Sequence, residues 1–350
     1  MCPDVKGLIL IESDPCGEPL SSLKSVTSLL QNCFSGCCVA WLICVPVCFS
    51  GCRVLRSNRQ TRELAAARQM SLRGAEALQQ KKFSDAESLF GEAIRHSPAD
   101  ERAQWGYAEV LWQRGQSEQA TEHMLKATET SGGNPELVVR LGQMYLEQED
   151  SSQAIAQADI ALRNQRTHAG AWALKGDALR KQNKPQAALD CYHRSLIYRS
   201  DAPAVQVAVA EIYRQLGRPQ RALATLDHLA DHHTPEKIPP RAWMLKGLAL
   251  ADLGEEVEAK HCWRLAAQYA SESQSELLLE LASVQYTSGD LAEARLCLGR
   301  VLKQDSTNIR ALDLQLQLDQ SFADLSSGRN GASALPVGFQ HNSQQNFQRN

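Results

Sequence analysis

Small and apolar residues return along this chain with a fixed period, separated by polar and charged faces. Ala86, Ala120, Ala154, Ala188 and Ala222 stand 34 residues apart, and Ala259 and Ala294 continue the series after short insertions. Twelve residues before each alanine lies another small residue: Gly74, Ala108, Gly142, Gly176, Ala210, Gly247 and Ala282. Four residues after it the side chain is bulky, as Phe90, Met124, Tyr192, Leu226, Trp263 and Leu298 show, with Ala158 the exception. Spacings of three, four and seven place residues on one helix face. Each period therefore predicts two helices, with small residues where their axes approach and bulky ones filling the gaps. Gly115, Gly217, Gly254 and Gly289 fall five residues before the repeating alanine and mark the turn between the helices. Pro98, Pro135, Pro203 and Pro240 mark unit boundaries. One such unit cannot bury its apolar face alone, but a stack can.

Two segments alternate like strands instead: AVQVAVA at 204–210 and ALDLQLQLDQ at 311–320. Ala210 keeps the small-residue phase, so helix is expected in the first. The second lacks β-branched residues and reads as a final solvating helix over 308–325 that caps the stack. DHHTPEKIPP at 231–240 predicts a lengthened connection, with His232 and His233 solvated rather than metal-binding. The Ser-, Asn- and Gln-rich stretch 326–350 reads as a disordered tail.

The pattern resembles the tetratricopeptide repeat (TPR) family. Trp172, Gly176, Leu179, Ala188 and Tyr192 carry it in one unit, and Trp243, Gly247, Leu250, Ala259 and Trp263 in another. The resemblance runs from residue 67 to about 307 in seven units and implies an all-α, right-handed superhelical solenoid. It also implies a concave groove, lined by the first helix of each unit, that takes a protein or peptide partner. By register the groove-facing candidates are Arg102, Trp105, Glu109 and Trp112, then Glu136, Arg140 and Gln143, with Arg140 nearer the edge. Asp177, Arg180, Glu211 and Arg214 follow in the next two units. Two tryptophans beside an arginine form a hot-spot pattern. The subfamily that grips chaperone C-termini with a Lys/Asn/Arg clamp is a poor match, because Ser71 and Ala75 stand at the first-unit positions.

Composition narrows the chemistry. A net charge of −3 over 350 residues favours neither nucleic acid nor polyanions as partners. The sequence has no G-x-S-x-G, Walker loop, H-E-x-x-H or C-x-x-C-H, so neither an enzyme nor a cofactor is expected. No C-x-x-C occurs and no histidine precedes His96, which argues against a metal site.

Eight of the eleven cysteines precede residue 53 and cluster in and around an apolar segment at 37–56, CCVAWLICVPVCFSGCRVLR. No charged residue lies between Val26 and Cys52. Two arrangements fit. In one the segment is a secretory signal whose Phe49-Ser50-Gly51-Cys52 end resembles a lipobox, with Cys52 lipidated and the repeats outside the cytoplasm. In the other it is an uncleaved transmembrane helix; Arg53, Arg56, Arg59, Arg62 and Arg68 behind it then hold the repeats in the cytoplasm. The first is favoured, because the apolar core is short and Ser-Gly-Cys follows it directly. The expected organisation is an anchor at 1–52, an Arg-rich linker at 53–66, a solenoid with its cap at 67–325, and the tail. It resembles the bacterial TPR lipoproteins that support envelope assembly, which implies a membrane-tethered binding scaffold. A second expectation is an accessory or substrate-recognition subunit of an enzyme complex.

Overall fold

The computed structural model describes residues 62–326, and every regular element among them is helical. The helices from Ala66 onward form one compact unit. α1 (62–79) and α2 (Phe83–His96) make the first repeat; α3 (Glu101–Gln113) and α4 (Ser117–Thr130) make the second. The third holds α5 (Pro135–Glu147) and α6 (Ser151–Asn164), and the fourth α7 (Ala169–Lys181) and α8 (Pro185–Tyr198). α9 (Pro203–Gln215) with α10 (Pro219–His232) and α11 (Pro240–Asp252) with α12 (Glu256–Tyr269) follow. α13 (Ser275–Thr287) and α14 (Leu291–Gln304) close the series, and α15 (Ile309–Ser326) caps it. The two helices of a unit pack as an antiparallel pair, and each pair docks on the next. First helices also touch first helices, α5 on α7, α9 on α11 and α13 on α15, which puts them on the inner side of the superhelical curve.

Local chemistry sets the helix ends. Asp100 caps α3 by accepting from the backbone N–H groups of Arg102 and Ala103, and Asn134 and Asp150 do the same for α5 and α6. Proline opens α5, α8, α9, α10 and α11, where its missing N–H costs nothing. The prolines therefore start helices as much as they end units. The turn inside each unit needs one left-handed residue. Gly115 supplies it at φ 77°, and Lys81, Glu149 and Asn183 hold the same register position at 58°, 66° and 56°.

The contact between small and bulky positions explains the repeat. A Cβ on Gly74 would lie 2.9 Å from the Phe90 ring, and one on Gly176 would lie 2.6 Å from the Tyr192 ring. Gly247 likewise lies under the Trp263 indole. The three aromatic fillers thus sit on glycines. Where the small residue is alanine, the filler position is non-aromatic: Met124 shares a buried cluster with Ala108, and Leu226 and Leu298 share one with Ala210 and Ala282. The third unit breaks the rule, since Ala158 is too short to reach Gly142. Leu174 from the fourth unit fills that socket instead.

Residues 204–210 are helical within α9 despite their alternation, because burial follows the repeat: Gln206, Val209, Ala210 and Ile212 all face the core. The capping helix forms as expected and buries Ala311 and Leu318. Its other face is not polar; Ile309 and Leu316 are 82% and 59% exposed. His232 is exposed as expected, though it ends α10 and bonds the His228 carbonyl at 2.8 Å; His233 is not simply solvated, since it is half-buried and pairs with Asp201 at 3.1 Å. Among the described residues no group of side chains could hold a metal ion, and no helix is long and apolar enough to cross a membrane. The apolar segment at 37–56 and Cys52 lie outside the described residues.

Candidate partner-binding face

The inner face carries a chain of charged residues that joins successive first helices. Its best-formed part lies between α3 and α5. Arg140 donates to both oxygens of Glu109, from Nε at 2.7 Å and from Nη2 at 2.8 Å. Both side chains are about three-quarters buried, and a bidentate pair of this kind fixes direction as well as charge. These bonds to Glu109 hold the Arg140 pKa above its ordinary value. Trp105 Nε1 donates to Glu109 Oε1 at 3.3 Å, one helical turn away. Trp112 Nε1 donates across to Glu147 Oε2 at 3.2 Å, and Arg140 reaches the same carboxylate at 3.7 Å while lying 6.0 Å from the Trp112 ring. Trp105, Glu109, Trp112, Arg140 and Glu147 therefore form one connected patch across two units.

Within the patch the two tryptophans differ. Trp112 is half-buried against the core cluster that contains Ala108, Leu141 and Met144, whereas Trp105 is 44% exposed although its N–H is satisfied. An exposed indole held in place by a hydrogen bond has already lost the rotamer freedom that binding would remove. Arg102 and Gln143 are exposed beside it on α3 and α5. Arg140 is not at the edge; it is the residue through which the other four are joined.

A second run crosses the later units. Arg180 donates to Glu211 Oε2 at 3.2 Å, and Arg241 donates to Glu211 Oε1 at 3.0 Å and also to Glu280. Arg214 pairs with Asp252 at 3.5 Å. Asp177 turns away from the groove. Its carboxylate accepts from the Tyr192 hydroxyl at 2.6 Å inside its own unit, and burial raises its pKa against the lowering effect of that bond. Burial and the neighbouring Asp177 push the phenol far above its ordinary value. Glu136 is taken by His168, 3.1 Å away, which also caps α7.

Glu147, Arg241 and Glu280 are absent from the sequence expectations, although two of them left a signal. Glu147 lies seven residues after Arg140, on the same helix stripe, and Arg241 stands six before its unit's glycine, as Arg102 stands six before Ala108. Cys191, Cys262 and Cys297 are buried thiols, and burial raises the pKa of each, Cys297 to about 11. They pack as small apolar groups.

Tetratricopeptide repeat models match residues 77–130 and, in overlapping segments, 139–205, 173–233 and 207–273, together more than half of the chain. The chain belongs to the tetratricopeptide repeat family. No curated protein matches it. Among solved structures, a TPR protein from Parabacteroides merdae aligns with a TM-score of 0.58 at 12% identity, covering 73% of this chain and 99% of that one. PilW, a type IV pilus biogenesis factor, aligns at 0.53 and 19% identity over 60% and 98%. A chain of the APC/C hetero-tetramer Cut9–Hcn1 aligns at 0.51 and 14% identity over 76% and 45%. At these identities the likeness is one of fold, and it agrees with the TPR superhelix built from the repeats.

Proposed function

We propose that this protein is a membrane-tethered scaffold that grips an extended protein partner along its inner face, with Trp105 as the anchor. The observation that carries the reading is the patch between α3 and α5: an exposed indole fixed by Glu109, itself clamped by Arg140. Tryptophan and arginine are among the residues most enriched at interface hot spots. Arg102 and Gln143 extend the patch, and Arg180, Glu211, Arg214 and Arg241 offer charged contacts along the same face of the later units. The tether rests on the apolar segment at 37–56 ending in Ser-Gly-Cys52, and envelope assembly is the process such a lipoprotein would serve. The arginine series from Arg53 to Arg68 favours a second reading, a transmembrane subunit with the repeats in the cytoplasm beside an enzyme.

Two measurements test this. The full chain and its Trp105→Ala variant are purified from solubilised membranes with what they bind. A protein retained by the parent and lost from a variant with an unchanged circular dichroism spectrum supports the anchor; equal retention by both refutes it. Intact mass then distinguishes the tethers. A chain beginning at lipidated Cys52, and an uncleaved Cys52→Ser precursor, support the lipoprotein, whereas residues 1–51 still present in the membrane-bound parent refute it.

A further inference from the structure

Gln206 stands on α9 at the register position held by Trp172 in the fourth unit and Trp243 in the sixth. The Trp172 N–H donates to the Arg166 carbonyl at 2.9 Å, Arg194 lies 4.7 Å from its ring, and Lys175 pairs with Asp159 at 2.7 Å. The sixth unit repeats the theme: Lys246 lies 5.6 Å from the Trp243 ring and pairs with Asp227 at 2.7 Å. In the fifth unit the indole is missing and its surroundings have changed. The residues 34 positions after Asp159, Leu162, Arg166, Lys175, Cys191 and Arg194 are His193, Leu196, Ser200, Val209, Thr225 and His228. With Gln206, these six line an open pocket of about 270 Å³. The pocket is thus the fifth unit's counterpart of the Trp172 site.

We propose that this pocket is a binding site for a tryptophan side chain of a partner protein. The volume exceeds the ~150 Å³ that accepts a benzene ring in an engineered cavity. Leu196 and Val209 supply apolar walls, and His228 takes the place of the cation over Trp172. The Ser200 carbonyl stands where Arg166 receives the Trp172 N–H; it accepts from Ala202 N at 3.2 Å and keeps a second lone pair. Gln206 is 6% exposed, with Nε2 3.3 Å from His228 Nδ1 and Oε1 buried without a partner. A buried unpaired acceptor is costly, and an N–H donor relieves it; the one indole N–H thus has two acceptors open to it, Gln206 Oε1 or the Ser200 carbonyl. A second pocket of about 280 Å³ shares Gln206, Ser200 and His228, which leaves the amide room to turn toward a ligand. The site lies between the second helices α8 and α10 over Gln206 and Val209 of α9, and its lining does not include the groove residues Glu211 and Arg214. It gives the array a second recognition surface, independent of Trp105.

The test uses the full chain with labelled Leu and Val methyl groups and N-acetyl-tryptophanamide as the probe. Saturable shifts of the Leu196 and Val209 methyl signals are expected. The phenylalanine analogue, which has no ring N–H, is expected to bind about fivefold to tenfold more weakly. Gln206→Trp plugs the site with the residue its neighbours use, so it should abolish probe binding and raise the melting temperature. Should that variant misfold, Leu196→Glu, at a half-buried wall, replaces it and should weaken the probe at least tenfold. No saturable shift in the parent, equal affinity for the two analogues, or undiminished binding by a folded plug variant overturns the proposal.

Discussion

Gly176→Ala tests whether the filler and socket contact sets the repeat. The added methyl would lie 2.6, 2.7 and 3.0 Å from three carbons of the Tyr192 ring. That ring cannot retreat, because it is fully buried and its hydroxyl is tied to Asp177 at 2.6 Å. Overpacking costs about 1–3 kcal/mol, and a ring anchored at both ends places this case near 3. Alanine returns about 1 kcal/mol of helix propensity, which leaves a net loss of about 2 kcal/mol. For an array of this size that lowers the melting temperature by roughly 4–8 °C, read by circular dichroism of the full chain in detergent. The decisive comparison is Gly176→Ala made in a Tyr192→Leu background. Alanine with leucine is the pairing the protein itself uses at Ala210 with Leu226 and at Ala282 with Leu298. There the alanine should stabilise by about 1 kcal/mol, so the coupling between the two sites is about 3 kcal/mol. A Gly176→Ala variant at least as stable as the parent, or equal effects in both backgrounds, would refute the reasoning.

Two further outcomes follow from local geometry and burial. Glu149→Gly should raise stability by about 0.5–1 kcal/mol in thermal unfolding, since it relieves a left-handed glutamate at φ 66°; Gly115→Ala, at φ 77°, should lower it by about 1 kcal/mol. Asp177 has a raised pKa in the fold because burial disfavours its charge, so the folded state holds this proton more tightly than the unfolded chain. Its contribution to stability is therefore full below the ordinary value of 3.8 and is lost as pH rises through the higher folded value. Asp177→Asn, which keeps an acceptor for Tyr192, should melt above the parent at neutral pH, and the gap should close on acidification toward pH 3; a gap that widens on acidification refutes the assignment.

The fold was legible because it is periodic. Four intervals of 34 residues from Ala86 to Ala222 locate both helices of each unit, and the phase of Ala210 outweighs the local alternation around it. Which residues share a stripe on one helix was legible as well, as Trp105 and Glu109 show. Contacts between helices were harder to read. Arg140 gave no sign by itself that it would clamp Glu109, because their meeting depends on how closely α3 and α5 approach. Asp177 occupies the same register position as Glu109 and Glu211, yet it turns inward, since only its unit offers a tyrosine hydroxyl to a short carboxylate. The cap was expected to solvate the end of the stack, and the leucine and glutamine alternation hid the fact that Ile309 and Leu316 share its outer face.

The fillers also determine where the array can be cut. Tyr192 and Trp263 close glycine sockets within their own units, so removing a neighbour leaves those two sockets filled although it exposes the shared core around them. Phe90 covers Gly74 in the first unit and Gly106 in the second, and Leu174 of the fourth unit fills the socket at Gly142 in the third. Units one and two are thereby joined, as are three and four. A break between Thr130 and Pro135 leaves every socket filled, whereas one between Asn164 and Ala169 opens a void at Gly142. The glycine sockets therefore tie the first four units into two pairs, whereas the socket at Gly247 is filled from within its own unit and the later units are held together by their shared apolar core.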